Sequence, residues 1–226
     1  MTGWERIRRR AGSTWQEWRI QRASQALTRQ RGVTAAPGAI RIRPTTLWTI
    51  GERGRLLIHP GGSLSMDCRS GAGFDWRIDR GLLQILDGTL EIAGHVVLGE
   101  GCRVFVKDGG VLRFLGDAMV AGRSHFFAHH QIEIGHDALI SWGVTLRDAD
   151  GHTIYQRGEV VNQGETFVRL GQHVWIGQGV DILPGTEIGD GALIGARSLV
   201  KGNVPAGSLA AGVPVRVLRE GVEWRA

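Results

Sequence analysis

The stretch "RDADGHTIY", residues 147 to 155, brings one histidine together with two aspartates. An imidazole titrates close to neutral pH, so His152 is suited to take the proton of a hydroxyl that attacks an acyl group. A carboxylate bonded to the other ring nitrogen would fix its tautomer, and Asp148 and Asp150 are both candidates. The D-x-D-G pattern is also ordinary turn chemistry, so a structural role for either aspartate stays open. The stretch predicts a general base, His152.

Aliphatic residues recur every six positions around this stretch. Ile134, Ile140 and Leu146 are six apart, six more residues reach His152, and the count resumes at Leu170, eighteen residues further on. It continues through Ile176, Ile182, Ile188, Ile194 and Val200. A hexapeptide repeat predicts short stacked strands, with three hexads forming one triangular coil of eighteen residues and the aliphatic side chains pointing inward.

Such a prism limits where function can lie. Its interior is a narrow column of Ile, Leu and Val, so a ligand must bind on the outer surface, in loops or between subunits. Residues 153–169 are predicted to bulge outward and to return to register at Leu170. Long loops in compact folds are commonly functional, which draws attention to His152 at the mouth of this one.

The chain divides into four segments by composition and hydrophobic pattern. Residues 1–32 form a basic helical arm, residues 33–116 contain short alternating strands in irregular coils, and residues 117–217 hold the regular hexapeptide repeat. Residues 218–226 form a C-terminal tail. The predicted fold class is all-β, a parallel β-helix preceded by an amphipathic helix.

The arm concentrates the positive charge. Residues 1–31 hold eight arginines and two glutamates, an excess of +6 in a chain whose net charge is +5. The body is therefore close to neutral and has no recognition-helix pattern, so no nucleic-acid partner is expected. Five arm residues lie on one helical face: Trp4, Ile7, Ala11, Trp15 and Trp18. This face is predicted either to pack on the body or a sister subunit, or to lie on an anionic membrane surface.

Compartment signals are few. No charged and then apolar leader with a cleavage site opens the chain, and no apolar run approaches the roughly 20 residues that span a bilayer. Cys68 and Cys102 form no disulfide framework and are predicted to be small buried hydrophobes. We therefore expect a cytoplasmic protein, and the membrane alternative for the arm would place it on the inner face of the membrane.

A longer motif links the repeat to a known family. The segment "HVWIGQGVDILPGTEIGDGALIGARSLVKGNVPAGSLAAGVPVRVLRE", residues 173–220, resembles the C-terminal signature of the hexapeptide-repeat acyltransferases. The upstream "IGHDALISWGVTLRDADGHTIY" resembles the branch that acetylates sugars of surface polysaccharides. The resemblance implies a left-handed β-helix and a homotrimer with acetyl-CoA between neighbouring prisms. It also implies a sugar or glycan acceptor and a catalytic histidine, and His152 matches that histidine. No metal is expected.

The resemblance also assigns contacts with the coenzyme. Trp175 matches a tryptophan that borders the pantetheine or acceptor channel, with the covering of a coil corner as its structural alternative. Gly195 and Ala196 match small residues that let coenzyme A approach the backbone. Arg197 stands where the family usually has glycine, and it would offer a cation to a phosphate.

Two further cations fit the same part of the coenzyme. Lys201 would contact the phosphates as a point charge, and Arg216 would bind them through the two parallel N–H groups of its guanidinium. A solvated edge is the structural alternative for both side chains.

A cluster of histidines lies upstream, in "RSHFFAHH". His125, His129 and His130 are expected either to line the acceptor cleft, together with Trp142, or simply to be exposed. The same β-helix also hosts a trimeric zinc carbonic anhydrase class, and the spacing of His125 and His130 matches one element of its pattern. No glycine follows His130 as that pattern requires, and no suitable upstream histidine is present.

These observations predict an acyltransferase. We expect it to move an acetyl group from acetyl-CoA to a sugar hydroxyl of a polysaccharide or glycolipid precursor. The alternatives are an N-acetyltransferase acting on an amino sugar, a zinc carbonic-anhydrase-like trimer, and a non-catalytic scaffold that presents the arm.

Overall fold

The chain winds into a triangular prism of short parallel strands around one hydrophobic interior. The computed structural model describes residues 14–67, 79–162 and 166–225. The expectations for residues 1–13, for the side chain of Trp15 and for Cys68 lie outside the described residues. The architecture is the left-handed parallel β-helix, which confirms the predicted all-β fold class.

The first face of the prism carries a ladder of opposite charges, and we call it the charged face. Arg113 donates from Nε to Glu91 (2.9 Å) and from Nη1 to Glu133 (3.1 Å), and Arg169 lies 3.6 Å from Glu133. These side chains neutralise one another on the outside of the prism. The strands of this face are β1 (Val33–Thr34), β4 (Arg55–Ile58), β7 (Thr89–Ile92), β10 (Val111–Phe114), β13 (Gln131–Ile134), β18 (Phe167–Leu170) and the ends of β20 (Asp181–Ile188) and β22 (Leu199–Val204).

The second face is apolar on its outer side, and we call it the apolar face. Its outer residues pair in register from coil to coil as Val97, Met119, Leu139, Trp175, Leu193 and Leu209. Its strands are β2 (Ile40–Ile42), β5 (Ser63–Met66), β8 (His95–Leu98), β11 (Ala118–Val120), β14 (Ala138–Ile140), β19 (Trp175–Ile176), β21 (Leu193–Ile194), β23 (Ser208–Ala211) and the antiparallel β24 (Arg216–Glu220).

The third face carries two stacked phenylalanines, and we call it the aromatic face. The rings of Phe105 and Phe127 are parallel within 9°, with centroids 5.1 Å apart. Its strands are β3 (Leu47–Ile50), β6 (Leu82–Ile85), β9 (Arg103–Val106), β12 (His125–Ala128), β15 (Thr145–Arg147) and the starts of β20 and β22.

Alternation along each strand builds the interior. In β7 the side chains of Leu90 and Ile92 are fully buried while Thr89 and Glu91 point outward, as the period of two requires. The predicted hexad residues Ile134, Ile140 and Leu146 are buried on three successive faces. The interior column expected from the repeat is therefore present.

Coil length varies more than the repeat predicts. Trp175 pairs with Leu193, which is the expected eighteen residues, but Met119 pairs with Leu139 after twenty and Val97 with Met119 after twenty-two. The longer coils have longer corners. Asp108 and Arg123 occupy such corners with positive φ (57° and 58°), a left-handed conformation that closes a tight turn.

One coil contains a long outward excursion. Ile134 pairs with Leu170, thirty-six residues later, so Leu170 and not His152 takes the interior position after Leu146. The phase survives because the insertion equals one coil in length. Strand β18 already begins at Phe167, inside the range 153–169 expected for the loop. The excursion carries a hairpin of its own, β16 (Tyr155–Gln156) with β17 (Glu159–Val160).

The described part of the arm is helix α1 (Thr14–Thr28), and it packs on strand β2. Leu27 is 0% exposed, and Ser24 Oγ accepts a hydrogen bond from the backbone N–H of Ile42 at 3.0 Å. Trp18 is 50% exposed, so the predicted packing of this side chain on the body is wrong, while its packing on a sister subunit stays a prediction. The buried face is Ile20, Ser24 and Leu27. No helix in the described ranges is long and apolar enough to span a bilayer.

Candidate active site

The excursion leaves the prism at the edge between the aromatic and charged faces, and a buried carboxylate fixes its point of departure. Asp148, 0% exposed, directly follows strand β15. One carboxylate oxygen accepts the backbone N–H of His129 and the other that of His130, both at 2.9 Å. No hydrogen bond joins Asp148 to His152 in the described residues. These contacts give Asp148 the structural role of anchoring the base of the loop.

The backbone of His152 is held by an amide that the sequence pattern did not single out. Asn162 donates from Nδ2 to the carbonyl oxygen of His152 at 2.6 Å and accepts the N–H of Ile154 at 2.8 Å. The imidazole of His152 is exposed, as is Asp150 two residues earlier. The loop thus has a fixed frame and a free imidazole, and Asp150 is the aspartate whose carboxylate stays available to it.

Two of the three upstream histidines, His129 and His130, lie at the same edge. His129 Nδ1 lies 3.0 Å from Asp108 Oδ2, and His130 is exposed. His125 lies on the outer side of the aromatic face, where burial and then the nearby Arg103 lower its pKa. Lys201 lies in β22 where that strand passes around this edge.

Other predicted contacts lie on the opposite edge of the aromatic face, between it and the apolar face. Trp142, 42% exposed, accepts from Gly179 N–H at 3.0 Å, and Arg197 N–H donates to Gln178 one coil further on (2.8 Å). Gly195 and Ala196 precede Arg197 at this edge. These backbone bonds stack the corner residues in consecutive coils.

Packing alone explains why residue 195 at this edge is a glycine. A Cβ added to Gly195 would lie 2.7 Å from the Cβ of Ala211. Trp175, 36% exposed, is further back on the apolar face, and Arg216 is exposed on the terminal strand β24. In one chain, therefore, the aromatic face separates His152 from most of the residues expected to bind the coenzyme.

The histidines do not converge on a metal site in the described residues. No group of three or more His, Cys, Asp or Glu side chains there has the arrangement to hold an ion. His129 is turned to Asp108, and Cys102 is buried, which raises the pKa of its thiol to about 12.

A second histidine and aspartate pair lies on the edge between the charged and apolar faces. His173 Nδ1 lies 2.6 Å from Asp137 Oδ2, Nε2 lies 3.0 Å from the carbonyl oxygen of Trp224, and the two rings stack at 3.9 Å. Asp137 and then the Trp224 carbonyl raise the pKa of His173, since both accept from the protonated ring. The pair holds the C-terminal tail. Sequence inspection missed it because the partners are separated by the excursion.

Comparison with known proteins finds relatives that share the hexapeptide repeat. Residues 167–202 match the family of bacterial transferases with six hexapeptide repeats. The chain is 29% identical over 144 residues to a putative lipopolysaccharide biosynthesis O-acetyl transferase of Escherichia coli (strain K12), WbbJ, covering 59% of this chain and 73% of that one. It is 42% identical over 94 residues to the galactoside O-acetyltransferase of the same strain, covering 40% of this chain and 45% of the relative.

A solved structure supports the fold. The polySia specific acetyltransferase NeuO superposes with a TM-score of 0.59 at 21% identity, covering 82% of this chain and 80% of that chain. Its repeats, its coil stacking and these matches make the chain similar to the hexapeptide-repeat transferases.

The anchoring role of Asp148 is testable by Asp148→Asn. An amide has one acceptor oxygen, so one of the two backbone N–H groups loses its partner inside the protein. We expect a loss of about 1–3 kcal/mol in the free energy of unfolding, measured by urea denaturation. Asp150→Asn, at an exposed position two residues away, is the matched control and should change stability little. Equal stability of the two variants would contradict the anchoring role.

The tail contact should depend on pH. The folded pKa of His173 is raised, so its stabilisation is complete below the ordinary value of about 6.5 and is lost as the pH rises through the folded pKa. Histidine-selective NMR titration should find the pKa of His173 above 6.5. In the Asp137→Asn variant, the pKa of His173 should fall back toward that ordinary value. Asp190→Asn, whose carboxylate bonds Gln172 on the same edge, should leave it unchanged. An unaltered titration in Asp137→Asn contradicts this.

Proposed function

We propose that this protein transfers an acetyl group from acetyl-CoA to a hydroxyl of a sugar in a polysaccharide or glycolipid precursor. The observation that carries the proposal is the excursion around His152. It leaves the prism between β15 and β18, Asn162 holds the backbone of His152 by hydrogen bonds, and the imidazole of His152 is exposed. A loop built only to connect strands has no need of a clamped histidine at this position.

The chemistry requires one base and no covalent enzyme intermediate. His152 takes the proton as the sugar oxygen attacks the thioester carbonyl carbon. The tetrahedral intermediate then expels the coenzyme A sulfur, which takes that proton back from the imidazolium. The products are the acetyl ester and coenzyme A, and His152 is returned to its starting state. Asp150 is the candidate for orienting the ring.

The donor side of the proposal needs a second copy of the chain. In one prism, Trp142, Gly195, Ala196 and Arg197 lie across the aromatic face from the His152 loop. A thioester and a base must reach the same hydroxyl, so a neighbouring prism would bring its own edge to this loop. The outer column of the apolar face supplies surface for such a contact. A homotrimer with acetyl-CoA in each groove is therefore part of the proposal, with Trp175, Lys201 and Arg216 as further coenzyme contacts.

The relatives support the same class of reaction. WbbJ and the galactoside enzyme carry O-acetyltransferase names, and NeuO is named an acetyltransferase specific for polySia. The nearest alternative is an amine acceptor on an amino sugar. An ester product is cleaved by mild hydroxylamine and an amide is not, which separates the two reactions.

The central prediction concerns His152→Ala. Calorimetry should find one coenzyme A site per chain in both the wild type and the variant, because the imidazole is not needed to hold the donor. Turnover of acetyl-CoA with a panel of sugar acceptors should fall by about 10²- to 10⁴-fold.

The matched control is His59→Ala, at an exposed histidine beside Glu91 on the charged face. It should keep full turnover. Near-normal turnover in His152→Ala would refute the assignment of the base. A folded protein that binds no coenzyme A would refute the reaction, and near-stoichiometric zinc in it would favour metal hydration instead.

We also propose that the arm contacts an anionic membrane surface, on the cytoplasmic side. Ile20, Ser24 and Leu27 face the prism, so α1 turns Trp18 and Arg22 outward, with the Arg22 guanidinium 4.8 Å from the centre of the Trp18 ring. Tryptophan and arginine together suit a headgroup interface, and the arm supplies an excess of +6.

This contact predicts a charge-dependent affinity for vesicles. Trp18→Ser with Arg22→Gln should weaken binding to vesicles of phosphatidylglycerol and phosphatidylcholine by about tenfold in sedimentation, since about 1 kcal/mol is lost per surface arginine and more with the tryptophan. Gln21→Ser with Gln25→Ser, at exposed neutral positions of α1, is the control. Equal sedimentation of the two double variants would show that α1 is not the membrane contact.

A further inference from the structure

The aromatic face carries two arginines that have no carboxylate partner among the described residues. Arg147 is exposed one strand beyond Phe127 in the same column, Arg103 is exposed two residues before Phe105 on the same strand, and neither lies within salt-bridge distance of a carboxylate in the described residues. Arg103 pairs in register with His125, and Arg147 with Phe127. The contrast with the charged face is direct, since Arg113 and Arg169 there both meet glutamates.

The two phenylalanines present a suitable surface between these cations. The near-parallel rings of Phe105 and Phe127 cover each other's faces, so their edges are what they offer outward. An aromatic edge is positively polarised and attracts oxygen atoms. His125 lies edge-on to Phe127 with centroids 6.1 Å apart and adds a ring nitrogen to the surface.

Nearby carboxylates limit this surface but do not neutralise it. Asp181 lies one coil beyond Thr145, at the far end of the face. Asp108, at the neighbouring edge, already pairs with Lys107 and His129. The middle of the face therefore keeps the charge of Arg103 and Arg147.

The other two faces have features that account for their exposure. The side chains of the charged face pair with one another, so this face can remain exposed to solvent. The apolar column suits contact between copies of the chain. The aromatic face fits neither description, because exposed arginines resist burial against an identical surface. It also adjoins both edges of the candidate site, and Arg147 is the last residue of β15, five positions before His152.

We propose that the aromatic face binds an acidic glycan, so that the acceptor is a chain of sugars with carboxylates and not a small neutral sugar. Carboxylates would pair with the forks of Arg103 and Arg147, and sugar oxygens would lie on the phenylalanine edges. Strands lie about 4.8 Å apart, so the rows from Gln84 to Arg147 span about 14 Å, longer than one sugar ring. The proposal rests on the proposed function in taking the His152 loop as the site of transfer.

The test is binding of acidic oligosaccharides to the full chain, without coenzyme A. The probes are hexasaccharides of galacturonate, guluronate and hyaluronan, with methyl-esterified hexagalacturonate as the neutral match. We expect calorimetry to detect at least one acidic probe, with affinity falling as salt rises, and no binding of the methyl ester. Arg103→Gln and Arg147→Gln should each weaken binding by about tenfold, and Phe127→Ala should weaken it measurably.

The chain offers a matched control on the charged face. Phe167 and Arg169 repeat the same pair of residue types, but the Arg169 guanidinium covers the Phe167 ring at 4.4 Å. Phe167→Ala and Arg169→Gln should leave binding unchanged. Loss of binding in these controls to the same degree, or binding of none of the acidic probes by the wild type, would overturn the proposal.

Two further outcomes are distinct. If Arg103→Gln or Phe127→Ala changes the mass of the assembly in light scattering, the face is a contact between copies and the proposal is wrong. Binding of an acidic probe by a protein that fails to bind coenzyme A would support the glycan surface while refuting acetyl transfer.

Discussion

The parallel backbone ladder is the constraint on which the rest of the structure depends. Strands about 4.8 Å apart, closed around a column of mostly aliphatic side chains, leave no room inside for a ligand. The interior therefore specifies the fold and carries no chemistry. Every polar or reactive side chain must stand on a face, at an edge or in a loop, and its neighbours above and below are set by the register.

That register gives each face a different chemical character. On the charged face, Glu91, Arg113, Glu133 and Arg169 satisfy one another coil by coil. The apolar face repeats outward hydrophobic residues from Val97 to Leu209, after Arg41 and Ser65 in its first two coils. On the aromatic face, Arg103 and Arg147 lie apart from carboxylates in the described residues. A prism of this kind can present three separate surfaces from one simple repeat, and the candidate site lies where the aromatic face meets its two edges.

The excursion shows how a loop can be added without disturbing the stack. Its length equals one coil, so Leu170 resumes the lattice directly above Ile134. Asp148 anchors the base of the loop by accepting hydrogen bonds from two backbone N–H groups of the preceding coil. Asn162 holds the backbone of His152 by a hydrogen bond to its carbonyl oxygen. The loop is therefore anchored twice, once to the prism and once to itself, which leaves the imidazole exposed on a defined backbone.

The sequence alone was enough to predict the β-helix, because a six-residue aliphatic period has few other physical explanations. It also located the excursion and His152, since an interruption of a regular repeat is visible without coordinates. It did not predict the coil lengths of twenty and twenty-two residues, because the extra residues sit in corners whose turn conformation depends on the neighbouring coil. The sequence also did not predict which face of α1 packs on the prism. The spacing of the tryptophans suggested their face, but the residues that cover the open end of the prism are Ile20 and Leu27.

What the sequence determined by itself was the repeat, the hydrophobic column and the residue types available for chemistry. Tertiary structure decided which of those residues meet. Asp148 and Asp150 are indistinguishable in the sequence, yet one is buried on two backbone amides and the other is exposed. Asp137 and His173 become neighbours only because a whole coil and its excursion lie between them. The physical reason is that stacking brings together residues one coil apart, and the length of each coil is fixed by its corners, not by the hexapeptide period.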